Sequence, residues 1–179
     1  MRLFIAIEMP ESIKEYLIQI QKQIDNDLAK IRWMKKEQMH LTLKFLGEVQ
    51  PNDVEKVKEE LRKIKFVFFS VHLNSIGVFP SENCIRVVWV GLKPEDKIME
   101  LQKDIDENLK KLFKKEGNFK AHITLGRVKF IDDKVKFMEM VKKIKVESKK
   151  INIDCFKLIK STLTGQYPVY EEVEIFSAS

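Results

Sequence analysis

The sequence predicts an α+β fold in which two similar lobes face each other across a cleft. Three observations lead there. Strand-like and helix-like periodicities interleave along the chain. Several strand-like segments follow one another too closely for the crossovers of a parallel sheet, which favours mixed or antiparallel sheets. One strand motif followed by a capped helix occurs twice, with an offset of 82 residues.

The elements follow in order. Residues 2–8 (RLFIAIE) alternate as a strand, and Pro10 opens a helix with Ile13, Leu17, Ile20, Ile24 and Leu28 on one face. Residues 31–35 and 39–49 read as strands. Asn52 and Glu55 have the spacing of a capping box, and Val54, Val57, Leu61 and Ile64 form the stripe of the helix behind it. Strands at 67–79 and 84–92 flank a turn at Pro80–Asn83. Pro94 opens a helix with Ile98, Leu101, Ile105, Leu109 and Leu112 facing inward. A strand at 120–130 leads to Asp132 and Asp133, which cap a helix running to about Lys145. Two strands, at 149–163 and 168–176, complete a set of four helices and about eight strands.

A chain of 179 residues, 44% hydrophobic and 34% charged, suits a single bilobal domain over 1–179. Its formal charge of +6 favours anionic partners, nucleic acid ahead of membrane, although a Lys/Glu-laced surface of a heat-stable protein fits equally well. The apolar runs are far shorter than a membrane span, and MRLFIAIEMP has no leader-like apolar stretch, so a cytoplasmic protein is expected. Cys84 and Cys155 lie in apolar strand-like runs and are expected as buried free thiols. Three histidines and two cysteines without ligand spacing give no reason to expect a metal.

The repeated motif carries the chemistry. Residues 40–43 read His-Leu-Thr-Leu and residues 122–125 read His-Ile-Thr-Leu. In a strand His40 and Thr42 share one face, as do His122 and Thr124, while the apolar residues between them face the core. Two such strands aimed into one cleft bring together two imidazoles and two hydroxyls. A neutral imidazole can take a proton from water while a protonated one supplies the leaving oxygen, and the hydroxyls can donate to phosphate oxygens. That set suits metal-free opening of a strained cyclic phosphate. Thr occurs four times in the chain, so a given histidine finds Thr two positions on by chance only about 2% of the time. His72 lacks the motif and reads as a structural strand residue.

These motifs, with RLFIAIEMP, HLTLKFLGEV, RVVWVGL (86–92), AHITLGRVK (121–129) and STLTGQYPVYEEVEIF, make the whole chain resemble the 2H phosphoesterase superfamily. The nearer resemblance is to its RNA 2′,3′-cyclic phosphodiesterases, also called 2′-5′ RNA ligases. It implies a bilobal fold, each lobe having an antiparallel sheet and two helices around the cleft. It implies hydrolysis of RNA 2′,3′-cyclic phosphates to 2′-phosphomonoesters without cofactor or metal, with ligation secondary. By the family pattern His40 is the proton donor and His122 the acceptor; the near-symmetry of the repeat does not orient them. The implied partner is RNA, with tRNA-derived ends among the candidates, and the expected state is a monomer off the membrane.

Phe45 and Arg127 each follow a motif histidine by five residues, positions that the family uses for base stacking and phosphate binding. Strict alternation puts them on the wrong face, so each strand needs a bulge, for which Gly47 and Gly126 are suggestive. Core packing is the competing role for Phe45. Lys44, four residues after His40, should share its face and reach phosphate, unless it is simply exposed. Two other readings compete: an enzyme for small cyclic nucleotides or 2′-5′ oligonucleotides, and a noncatalytic RNA-binding module.

Overall fold

In the computed structural model, residues 1–24, 27–165 and 167–179 are described; Gln166, in the tail motif, lies outside them. The elements are β1 (Arg2–Glu8), α1 (Glu11–Lys22), β2 (Ala29–Trp33), a short 3₁₀ turn (Lys36–Gln38), β3 (His40–Glu48) and α2 (Pro51–Arg62). They continue with β4 (Phe69–Ser81), β5 (Cys84–Lys93), α3 (Asp96–Leu109), β6 (His122–Ile131), α4 (Lys134–Lys143), β7 (Lys150–Ile153), β8 (Cys155–Thr164) and β9 (Tyr167–Ser177).

The strands run in the order β7-β4-β5-β6-β3-β1-β8-β9, with β2 paired to β6. All the pairs are antiparallel. Four strands lie on each side of the β6–β3 junction, and the 82-residue offset carries β3 onto β6 and β1 onto β5, as expected for two pseudo-symmetric lobes. The lobe sheets meet there through one residue pair, Leu41 with Ile123, the apolar residues just after the two motif histidines. Few ladder bonds hold that seam, so the sheet can curl and bring the two His/Thr faces towards each other.

The core follows the period of the strands. In β1 both faces are buried: Leu3, Ile5 and Ile7 join the main core, while Phe4 and Ala6 form a small cluster with Ile159 on the other face. A central strand flanked by β3 and β8 explains that unbroken apolar run. The helices bury the expected stripes, Leu17 and Ile20 in α1, Val57 and Leu61 in α2, and Ile98, Leu101, Ile105 and Leu109 in α3.

Several local expectations need correction. Asn52 makes no cap, because Pro51 occupies the first helical position, which moves the boundary back to Gln50. Leu112 is exposed, lying beyond the end of α3 at Leu109. The segment 149–163 is two strands, since the chain passes from β4 to β1 as partner on either side of Asp154. Cys84 is exposed and Cys155 half-buried, because both sit at strand ends rather than centres. The Asp133 cap does form, its carboxylate accepting from the Lys136 amide at 3.0 Å. No described helix is long and apolar enough to cross a membrane.

Candidate active site

A cleft of about 310 Å³ opens between the lobes. His40 and Thr42 line it from β3, and His122 and Thr124 from β6. Each imidazole is anchored in the same way. The His122 Nδ1 lies 2.7 Å from the Lys120 carbonyl, two residues back, and the His40 ring is hydrogen-bonded to the backbone of Gln38, also two residues back. A carbonyl accepts only, so Nδ1 of His122 carries the hydrogen and Nε2 is left with its lone pair. Aromatic rings wall both sites. Phe4 and Tyr170 stand 4.9 and 5.5 Å from the His40 ring, and Phe79 and Trp89 stand 4.9 and 6.1 Å from that of His122.

This enclosure sets the protonation of the two rings. Burial pushes the His40 imidazole down to about 4; the Glu8 charge opposes this, and Lys14 adds to it. Glu8 is itself held between Lys14 at 2.8 Å and Lys157 at 2.6 Å. Burial also lowers His122, with the Lys120 carbonyl opposing and Arg127 adding to the fall. Both rings are therefore neutral near pH 7. Burial keeps the Tyr170 phenol protonated by pushing its pKa up, against the pull of Arg127, Arg2 and Arg32.

The bulges that the sequence required are present, at equivalent places. In β3, Thr42 pairs with Ala6 and Lys44 with the next residue, Ile5, so Leu43 is the extra residue. In β6, Thr124 faces Trp89 and Gly126 faces Val88, so Leu125 is the extra one. Both bulges turn over the alternation, and the fifth residue after each histidine returns to the cleft. Phe45 is 64% exposed and lines the cleft opposite the other bulge's Arg127, so core packing is not its role.

The same bulge moves Lys44 away from the position that strict alternation gave it. Lys44 is only 2% exposed. Its Nζ lies 2.5 Å from Asp106 Oδ1 and donates to the Lys114 carbonyl at 2.6 Å. Asp106 also accepts from Gln102 Nε2 at 2.8 Å and from the Glu116 amide at 2.9 Å. Burial alone would raise the Asp106 carboxyl, but Lys44 and these donors hold it below its ordinary value. The ammonium is thus committed to shaping the 114–120 loop, whose Glu116, Asn118, Phe119 and Lys120 form part of the cleft wall.

Each bulge is braced from the opposite half of the chain. Asp106 of α3 holds the β3 bulge through Lys44, and Gln21 of α1 donates to the Leu125 carbonyl of the β6 bulge at 2.8 Å. Gln21 also donates to the Met34 carbonyl at 2.9 Å. Sequence reasoning missed Gln21, Gln102, Asp106 and Tyr170. The first three had a signal: they are polar residues beside or within buried helical stripes, where an unpaired group is costly. His72 lies half-buried in β4, between Lys93 and Lys150 on the neighbouring strands. Among the described residues no three His, Cys, Asp or Glu side chains gather as a metal site would need.

A family model for LigT-like phosphoesterases matches the chain twice, over residues 7–89 and 90–170, one copy for each half. The chain is 43% identical over 177 residues to an RNA 2′,3′-cyclic phosphodiesterase of Methanocaldococcus jannaschii, covering 97% of this chain and 99% of that one. It is 35% identical over 178 residues to the protein of the same name from Archaeoglobus fulgidus, covering 98% and 99%. Its fold is similar to that of the protein TT0787 of Thermus thermophilus, with a TM-score of 0.83, 25% identity and coverage of 99% and 97%. The E. coli LigT structure complexed with 3′-AMP shares the fold, with a TM-score of 0.78, 22% identity and coverage of 99% and 98%.

Proposed function

The chain belongs to the LigT-like phosphoesterase family, and from that premise we propose that it opens the 2′,3′-cyclic phosphate at RNA ends to a 2′-phosphomonoester by two-histidine acid–base catalysis. The observation that carries this reading is the pair of neutral, backbone-anchored imidazoles lining one cleft, each with a threonine two residues on.

The cyclic phosphate lies between the lobes. His122 takes a proton from water as its oxygen bonds to phosphorus; the P–O3′ bond breaks, and O3′ takes a proton from His40. The product carries a 2′-phosphate and a free 3′-hydroxyl. Proton exchange with solvent resets the two rings. The Thr42 and Thr124 hydroxyls donate to the non-bridging oxygens, and the Arg127 guanidinium pairs with the phosphate. Phe45 offers its exposed ring to the base.

The donor role of His40 belongs to the complex with substrate, because burial by itself leaves the ring neutral. Substrate brings a negative charge that favours one imidazolium, and the fixed charges then divide the rings. Glu8 favours a proton on His40, while Arg127 disfavours one on His122. A 5′-hydroxyl in place of water would give a 2′-5′ linkage by the same transfers, which is the ligase form of the reaction. Every group invoked comes from one chain, so the reaction needs no second subunit. RNA ends, those from tRNA among them, are the substrates in this reading.

The test is an oligoribonucleotide ending in a 2′,3′-cyclic phosphate, incubated with excess EDTA and wild type, His40→Ala or His122→Ala. Wild type should give a product whose phosphate is released by a 2′-specific phosphatase, and each variant should be slower by about 10²–10⁴-fold. A chelator-sensitive wild type, or a variant with full activity, would overturn the mechanism.

A further inference from the structure

Beside the cleft lies a second groove, of about 500 Å³, that no step above uses. It shares Phe45, Arg127 and Tyr170 with the cleft, so the two are continuous. Of the five arginines in the chain, three line it: Arg2 from β1, Arg32 from β2 and Arg127 from β6. Arg32 and Arg127 are direct cross-strand neighbours. Like charges so placed repel and weaken a sheet unless an anion lies between them. All three arginines are exposed, and no described carboxylate pairs with any of them; Arg86, outside the groove, is exposed in the same way, while Arg62 is held by Glu55 and Glu174, so what sets the three apart is their convergence on one groove. The half-buried rings of Trp33 and Tyr167 also line the groove, the Lys35 ammonium lying 4.1 Å over that of Tyr167.

We propose that this groove binds the RNA strand on the 5′ side of the cyclic end, Arg2 and Arg32 taking internucleotide phosphates and the aromatic rings taking bases. The inference deepens the proposed function and rests on it for the polarity of the strand. The end nucleotide fills the cleft, and its 5′-phosphate must leave past Phe45 and Arg127, where the groove begins. Unpaired guanidiniums interleaved with aromatics are the chemistry of a single-strand track. The groove therefore sets a preference for oligonucleotides over mononucleotides, and it separates an RNA-end enzyme from one for small cyclic nucleotides.

Two assays test it on the intact protein. One is anisotropy of a fluorescein-labelled oligouridylate bearing a 3′-phosphate, which reads binding without turnover. The other is hydrolysis of adenosine 2′,3′-cyclic phosphate. Arg2→Ala/Arg32→Ala should bind the oligonucleotide about tenfold more weakly. The salt dependence should become shallower by about 0.7 in log–log slope for each phosphate that the variant no longer neutralises. Hydrolysis of the mononucleotide should be unchanged. Arg32→Glu should raise the thermal midpoint, by pairing with Arg127, while weakening binding further; a change in fold could not do both. Unchanged affinity and slope in these variants, or equal losses on both substrates, would overturn the groove. If wild type opens neither cyclic phosphate but its oligonucleotide binding still depends on Arg2 and Arg32, the strand track stands and the catalytic reading falls.

Discussion

The strands His40–Glu48 and His122–Ile131 begin alike and end differently. Both open on His-x-Thr-Leu, both hang the imidazole from a backbone group two residues back, and both carry their bulge at the leucine. After the bulge they diverge. The first has a buried lysine and then an aromatic ring; the second has a glycine and then a guanidinium. Gly126 lies where a Cβ would meet Ile31 Cγ2 at 2.6 Å and Trp33 Cε3 at 2.8 Å, because β2 packs against that half alone. The lesson is that the repeat supplies the matched His/Thr pairs, and divergence immediately beyond them gives the cleft an exposed aromatic ring from one half and a guanidinium from the other.

The comparison breaks hardest at the histidines. If the two motifs act as one unit, His40→Ala/His122→Ala should lose no more than about tenfold beyond either single variant, each of which costs about 10²–10⁴. Single-turnover ring opening measures this, and multiplicative losses would mean that the halves work independently.

The bulge braces come next. Lys44→Met leaves Asp106 as an unpaired buried carboxylate and should destabilise the fold by about 3–5 kcal/mol in urea unfolding. Lys44→Met/Asp106→Leu should recover most of that loss, since an apolar pair of similar bulk needs no charge partner. At the equivalent place in the other half, Gly126→Ala should cost about 1–3 kcal/mol, by overpacking rather than by an orphaned charge. Its loss should be the same at high and low salt.

The divergent fifth residues sharpen the comparison in substrate binding. Arg127→Ala should raise KM by an amount equivalent to about 1.5–3 kcal/mol, an effect that shrinks as salt is added. Phe45→Ala should cost about 1 kcal/mol, as expected for stacking on a single base, with little salt dependence. Equal salt dependence for the two would contradict the division into phosphate and base sides.

The last comparison is in pH. Burial lowers both histidines in the folded state, His40 to about 4. Between about 4 and the unfolded value near 6.5, the unfolded chain binds more protons than the native one. Stability should then fall as pH drops through that window. His40→Asn should flatten the slope of urea stability against pH more than His122→Asn does. NMR titration should find His40 uncharged at pH 5.5.

The repeat made the lobes, the cleft and the four groups facing it legible from the sequence, because a strand's period of two is rigid and the 82-residue offset leaves little choice of pairing. The need for bulges was legible too, since Phe45 and Arg127 could not otherwise share a face with the histidines. The fate of Lys44 was not. Alternation gave it the cleft face, but the bulge falls at Leu43, before Lys44 rather than after it, and turns the ammonium to Asp106, 62 residues away. The pairing of β2 with β6 was likewise hidden, as nothing in AKIRW names its neighbour. Nor could the run at 149–163 reveal that it serves two partner strands in turn.

That last strand pair has a consequence for how the protein comes into being. Phe4 stands against His40, and the strand that carries it is flanked on its other edge by β8, with β9 and Tyr170 beyond. His40, the earlier of the two motif histidines, thus waits for β8 and β9, which follow the second motif in the chain. A nascent chain that stalls after β6 has made both histidines and Phe4 but lacks Tyr170, the other ring against the first of them. Loss of β9 by proteolysis would leave the same gap, so activity should report the presence of that strand.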